Sequence, residues 1–189
     1  MKKSIKWIIL AIVCAIVFVG IYFLYGYLKD HYQPEQLAGD ENSTQQNQDH
    51  KAPDFTVLDG EGREVKLSDY FGKPIVLNFW ASWCYYCKVE MPDFEKAYQK
   101  HSDVQFLMIN VTDGHQETMD SASQYIKDEG YTFPVFYDTK LEAATAYGAS
   151  GLPMTIFIDK NGDLVTYANG MLSDENLEKG ISLIKGKGE

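Results

Sequence analysis

Cysteine is scarce in this chain of 189 residues, which carries three, at positions 14, 84 and 87. So few rule out a disulfide-dense scaffold. A structural zinc site normally needs four Cys or His ligands, and His31, His50, His101 and His115 form no His-x3-5-His pair to complete one. Positive charge is also in short supply, with 17 Lys and Arg against 27 Asp and Glu and a net charge of −10. Nucleic-acid partners require a basic footprint, so that class is excluded. Internal repeats are missing, which excludes solenoids and propellers.

What is present begins with an apolar N-terminus. Lys2, Lys3 and Lys6 precede an uncharged stretch over 7–28. At roughly 22 residues it is long enough to cross a bilayer as a helix. It is longer than a signal-peptide core and lacks a small-x-small cleavage site. Cys14 lies inside it after Val13, not at its end after a small residue, so it does not suit lipidation. Tyr22, Tyr25 and Tyr27 fit an interfacial aromatic belt. The reading is an uncleaved single-pass anchor over 7–28, with residues 1–6 in the cytoplasm by the positive-inside rule and everything beyond it extracytoplasmic. Residues 29–51 are polar and aperiodic and read as a flexible linker. A folded domain over 52–189 follows.

Within that domain, Phe55 to Leu58 and Glu64 to Leu67 flank a glycine-containing turn, which predicts a hairpin. Ser68 to Gly72 reads as a turn or short helix. The near-continuous apolar run 75–80 predicts a strand buried on both faces, and Val104 to Val111 a second. A helix follows the cysteines to about Lys100, with Pro92 expected to kink it. Glu117 to Glu129 has helical spacing, with Gly130 expected as its C′ glycine. Phe133 to Tyr137 is strand-like. Thr139 and Glu142 suit a capping box for a helix ending near Gly148. Thr155 to Ile158 and Leu164 to Tyr167 flank Asp159-Lys160-Asn161-Gly162 as a hairpin. Ser173 suits the N-cap of a last helix to about Lys185. The order is a mixed α/β domain with helices on both sheet faces.

The chemistry concentrates in Trp80-Ala81-Ser82-Trp83-Cys84-Tyr85-Tyr86-Cys87-Lys88, at a strand-to-helix handover. Cysteines at i and i+3 lie on nearby faces of a first helical turn, so their sulfurs are able to bond. The helix N-terminus favours a thiolate over a thiol. Cys84 is therefore the expected nucleophile and Cys87 the resolving cysteine of a Cys84–Cys87 dithiol–disulfide cycle. Three blander readings compete: half of a zinc site, a purely structural disulfide, and two buried free thiols. A cross-link over so small a loop would stabilise little. Redox chemistry accounts best for the setting.

Taken together, several motifs resemble the membrane-anchored extracytoplasmic thioredoxins of the TlpA and ResA type. They are Ala52-Pro53-Asp54-Phe55, Gly72-Lys73-Pro74 leading into Asn78-Phe79-Trp80-Ala81-Ser82-Trp83-Cys84, Glu90-Met91-Pro92, and Tyr147-Gly148-Ala149-Ser150-Gly151-Leu152-Pro153. The match covers about Ala52 to Gly186. It implies an α/β thioredoxin fold with an N-terminal β-hairpin, a TlpA-type inserted helix and strand over about 112–138, and one preceding transmembrane helix. It implies a cis bond at Pro153, with Leu152 offering backbone to an extended substrate beside the cysteines. It raises Glu90 from a solvated helix carboxylate to a proton acceptor or donor for Cys87.

Asn78 stands where thioredoxins commonly bury an aspartate. It cannot titrate, so a proton relay would fall to Glu90 or water, unless it is simply a structural amide. Trp80 and Trp83 are expected to pack beside the site, and Trp83 also to form part of a substrate-binding apolar platform. The family usually has proline before the second cysteine, where Tyr86 stands here, and that dipeptide helps set the reduction potential. His115 reads as a surface residue.

The resemblance further implies a thiol:disulfide oxidoreductase with no cofactor and no metal. Its partners would be extracytoplasmic proteins bearing disulfides or thiols, with apocytochrome c or a methionine sulfoxide reductase as candidates. A CcdA- or DsbD-like membrane carrier would supply electrons. The alternative within this class is an oxidase that donates its disulfide to secreted proteins. Copper chaperones of the Sco type use three intervening residues and a distant histidine, a pattern this chain does not follow. A peroxidase motif would need threonine where Ala81 stands, and a purely binding module would usually have lost the cysteines.

Overall fold

A computed structural model of the chain describes residues 17–24 and 50–186. Residues 17–24 are helical, with exposed apolar side chains such as Phe18, Tyr22 and Phe23. Among the described residues no helix is long and apolar enough to cross a membrane. Most of the expected 7–28 span, and the 29–49 part of the linker, lie outside the described residues.

Residues 50–186 fold around one seven-stranded sheet. Its strands are β1 (Thr56–Leu58), β2 (Glu64–Lys66), β3 (Ile75–Trp80), β4 (Gln105–Asn110), β5 (Val135–Tyr137), β6 (Met154–Ile158) and β7 (Leu164–Asn169). Their spatial order is β2-β1-β5-β4-β3-β6-β7. The central β3 runs parallel to β4 and antiparallel to β6. Its residues are all buried, as its near-continuous apolar character predicts. The helices are α1 (Tyr85–Lys100), α2 (Met119–Glu129), α3 (Glu142–Ala146) and α4 (Asp174–Gly186), with a 3-10 turn at Leu67–Tyr70.

Side chains alternate across β3, so the core divides into two clusters. Val76 and Trp80 join Met91 and Phe94 of α1 and Leu177 and Ile181 of α4 on one face. Ile75, Leu77 and Phe79 join Ala143 of α3 and Phe55 of the N-terminal segment on the other. Full burial of each large apolar side chain is worth roughly 1.5–3 kcal/mol, so both faces hold the sheet rigid beneath the cysteines.

Both hairpins form as the turn residues dictate. β1 pairs with β2, and β6 with β7. Gly130 closes α2 at φ 74, a left-handed conformation that a Cβ would disfavour. The helix α1 continues across Pro92 to Lys100. Ser173 Oγ accepts the Asn176 N–H at 3.3 Å ahead of α4.

One expectation is corrected. Thr139 does not cap α3, which is preceded by Leu141 at φ 54 with no side-chain cap of its own. Asp138 does the work instead, its carboxylate accepting the Ala144 N–H at 2.8 Å. The acceptor is one residue earlier than the S/T-x-x-E pattern suggests because Leu141 breaks the helical path.

Candidate active site

The site forms where β3 ends and α1 begins. Cys84 is the N-cap of α1, with extended φ −77 and ψ 111. Its sulfur accepts the Cys87 N–H at 3.2 Å, filling the role that a serine or aspartate oxygen has at other helix starts. The two sulfurs are joined, with the Cα atoms 5.3 Å apart. Cys84 retains a small exposure of 5%, whereas Cys87 has none. That asymmetry gives the two sulfurs different work. Cys84 lies nearer the surface, and Cys87 is sealed beneath it. The helix-start sulfur is also the one that receives a backbone N–H, an arrangement that favours a thiolate in the reduced pair.

The loop opposite the cysteines carries a cis bond between Leu152 and Pro153. Register places it. Met154 pairs with Phe79, so Pro153 lies level with the end of β3. The Pro153 carbonyl accepts the Gly170 N–H at 2.8 Å. Leu152, half-buried, packs on the cluster that holds both cysteines. Leu152 thus packs on the cluster that includes Cys84 and Cys87, and Pro153 follows it at the level where β3 ends.

Beneath Cys87 lies a buried polar group. Glu90, one helical turn on, is 1% exposed. Its Oε1 accepts from Asn78 Nδ2 at 2.9 Å, and its Oε2 from the Leu172 N–H at 2.8 Å. Burial pushes its carboxyl up to about 8, outweighing the two hydrogen bonds that favour the charged form. Glu90 can therefore hold or release a proton near neutral pH. Asn78 also donates to Thr155 Oγ1 at 3.0 Å, tying β3 to β6.

The two tryptophans part company. Trp80 is fully buried and its ring meets Tyr125 at 6.0 Å. Trp83 is half-exposed, past the end of the strand where alternation no longer buries it. Tyr85, Tyr86 and Val89, on the first turns of α1, are exposed as well, so apolar side chains flank the nearly buried Cys84 in sequence on both sides. The Tyr85 and Tyr86 rings meet edge to face at 5.4 Å. His115 is exposed, as expected.

One residue escapes the sequence altogether. Glu117 is fully buried and grips the turn ahead of Cys84 through Ser82. No pattern marks it, because its partner lies 35 residues away. A separate surface cleft of about 350 Å³, lined by Pro53, Tyr147, Met154 and Tyr167 among others, has neither cysteine in its wall.

Comparison with known proteins agrees with this geometry. Residues 49–167 match the AhpC/TSA family. The chain is 38% identical over 136 residues to thiol-disulfide oxidoreductase ResA of Geobacillus kaustophilus, covering 71% of this chain and 76% of that protein. Among solved structures, the pneumococcal exposed lipoprotein thioredoxin Etrx1 from Streptococcus pneumoniae is similar with TM-score 0.61 and 30% identity. That match covers 69% of this chain and 100% of the other. StoA from Bacillus subtilis is similar with TM-score 0.60 and 26% identity, over 68% of this chain and 96% of the other.

Proposed function

The chain belongs to the AhpC/TSA family and, within it, to the ResA-type thiol–disulfide oxidoreductases, and from that premise we propose that it reduces disulfides in exported proteins. The observation that carries the proposal is the pair itself. Cys84 caps α1 with slight exposure, and Cys87 is sealed one turn deeper and bonded to it.

In the proposed cycle the Cys84 thiolate attacks a substrate disulfide, and one substrate sulfur leaves as a thiolate. Cys87 gives its proton to Glu90. The Cys87 thiolate then attacks the Cys84 sulfur, and the second substrate sulfur leaves. Two electrons pass to the substrate, and the Cys84–Cys87 disulfide remains. Leu152 and Pro153 hold the substrate backbone, while Trp83 and its aromatic neighbours cover the apolar flanks.

The apolar stretch over 7–28, preceded by Lys2, Lys3 and Lys6, supports a single-pass anchor with the domain on the outer side of a cell membrane. There a CcdA- or DsbD-like membrane carrier would return the electrons. Apocytochrome c and a methionine sulfoxide reductase are the candidate substrates. Run in reverse, the same cycle would donate a disulfide to secreted proteins. Tyr86, standing where the family usually carries proline, is the residue that bears on that choice.

Trapping tests the proposal. Cys87→Ser should accumulate mixed disulfides between Cys84 and exported proteins, released by dithiothreitol. Cys84→Ser should accumulate none. A Cys87→Ser protein that captures nothing in cells would refute catalysis on protein disulfides.

A further inference from the structure

Asn78 sits in the middle of β3, fully buried, with its side chain directed at α1. Its amide nitrogen donates twice, to Glu90 Oε1 at 2.9 Å and to Thr155 Oγ1 at 3.0 Å. Its amide oxygen is buried and has no hydrogen-bond partner. An orphaned buried acceptor is costly, and leucine would fill the same space without it. The uneven satisfaction of this one side chain calls for a physical reason.

The reason lies in Glu90. Both of its oxygens receive N–H donors, one from Asn78 and one from the backbone of Leu172. Two donors suit a carboxylate, which only accepts. They do not suit a carboxylic acid, whose O–H must itself find an acceptor. Since burial pushes Glu90 up to about 8, the acid form has to be housed near neutral pH as well.

The Leu172 donor is backbone and fixed, whereas the Asn78 amide is a side-chain group with a rotatable last torsion. Half a turn about its last torsion exchanges nitrogen and oxygen with almost no change of shape. The amide oxygen then accepts from Glu90 O–H and from the Thr155 hydroxyl, which donates as readily as it accepts. Each state has two hydrogen bonds, and the orphaned end passes from oxygen to nitrogen.

We propose that Asn78 is a proton-linked positioning residue, whose amide turns over when Glu90 takes up a proton and turns back when Glu90 releases it. This rests on the reading that Glu90 serves the proton of Cys87. When the Cys87 thiol passes its proton to Glu90 Oε1, the sulfur becomes a thiolate, the amide turns, and nothing else is consumed. An aspartate at this position would titrate and repel Glu90, whereas an amide accommodates both forms without charge. The other groups facing Glu90 are few. Asp93 of α1 repels its charged form, and Cys87, bonded to Cys84, does not titrate in the disulfide state. Thr155 of β6 and the Leu172 N–H do not titrate in this range.

The test is a pH titration of the reduced full-length chain in detergent micelles, with labelled Asn side-chain nitrogen and Glu carboxyl carbon. The Asn78 amide resonances are expected to move with the same midpoint as the Glu90 carboxyl, and Glu90→Gln should make them independent of pH. Asn78→Leu should raise the Glu90 midpoint by about a tenfold change in proton affinity, because the charged form loses the stronger bond. The parent titration alone decides the matter if that variant folds poorly. Fixed Asn78 resonances beside a titrating Glu90 overturn the turnover and leave the proton-acceptor role standing. A Glu90 carboxyl that does not titrate between about pH 5 and pH 10 overturns both.

Discussion

Glu117 accepts two hydrogen bonds from Ser82, one from its backbone N–H and one from its hydroxyl, each at 2.8 Å. Its other oxygen accepts from Ser121 Oγ at 3.0 Å. The segment after β4 therefore clamps the turn that delivers Cys84 to α1. Glu117→Ala should cost roughly 2–4 kcal/mol in urea unfolding, since it strands the Ser82 donors and opens a void. Glu117→Gln, which keeps the volume and one acceptor, should cost less. Exchange rate per folded molecule should fall in the alanine variant. A Glu117→Ala protein as stable and as fast as the parent would show the clamp to be dispensable.

Glu90 should make stability depend on pH. Its carboxyl is pushed up to about 8 in the fold, above its ordinary value of 4.5. Between those values the folded state binds the proton more tightly than the unfolded chain. The stabilising proton is fully present below the unfolded value and is lost as pH rises through the folded one. Unfolding free energy should therefore decline by roughly a few kcal/mol from pH 5 to pH 8. Glu90→Gln should flatten that decline and remove the matching inflection from the exchange rate. A decline of equal slope in Glu90→Gln would assign it to another group.

Trp83 should matter for recognition and hardly at all for folding. It is half-exposed beside Cys84, so Trp83→Ala should change stability by no more than about 0.5 kcal/mol. The same change should lower kcat/KM for a protein disulfide by roughly tenfold, or about 1.4 kcal/mol. For a small disulfide, which presents no flanks for it to cover, the loss should be smaller. Equal losses with both substrates would place the tryptophan in the chemistry instead.

Gly180 is a packing requirement of α4. A Cβ there would overlap the Phe157 ring, and that ring is itself fully buried. The helix would gain up to about 1 kcal/mol from alanine, but the overlap should outweigh it. Gly180→Ala should be destabilised by roughly 1–3 kcal/mol, read as a lower urea midpoint with unchanged slope. A raised midpoint would mean that α4 shifts away from the sheet at little cost.

The sequence is most legible where local rules govern. The apolar run Ile75–Trp80 announces a central strand, and Cys84 and Cys87 announce the helix start beside it. Gly130 marks the end of α2 because only local backbone sterics are involved. The sequence is least legible where contacts are long-range. The grip of Glu117 on Ser82, the donation from Leu172 to Glu90, and the pairing of β1 with β5 have no local signature. Thr139 misleads for a related reason: the cap is set by the path of the chain through Leu141, which the residue pattern does not encode. Trp80 and Trp83 look alike in sequence and differ in burial because the strand ends between them.

The reduction potential of the Cys84–Cys87 pair tests the account most directly. It is to be measured on the full-length protein against thiol–disulfide buffers at neutral pH. A reductase fed by a membrane electron carrier should show a value well below about −250 mV. A value near −120 mV would make the pair a disulfide donor and contradict the proposed direction.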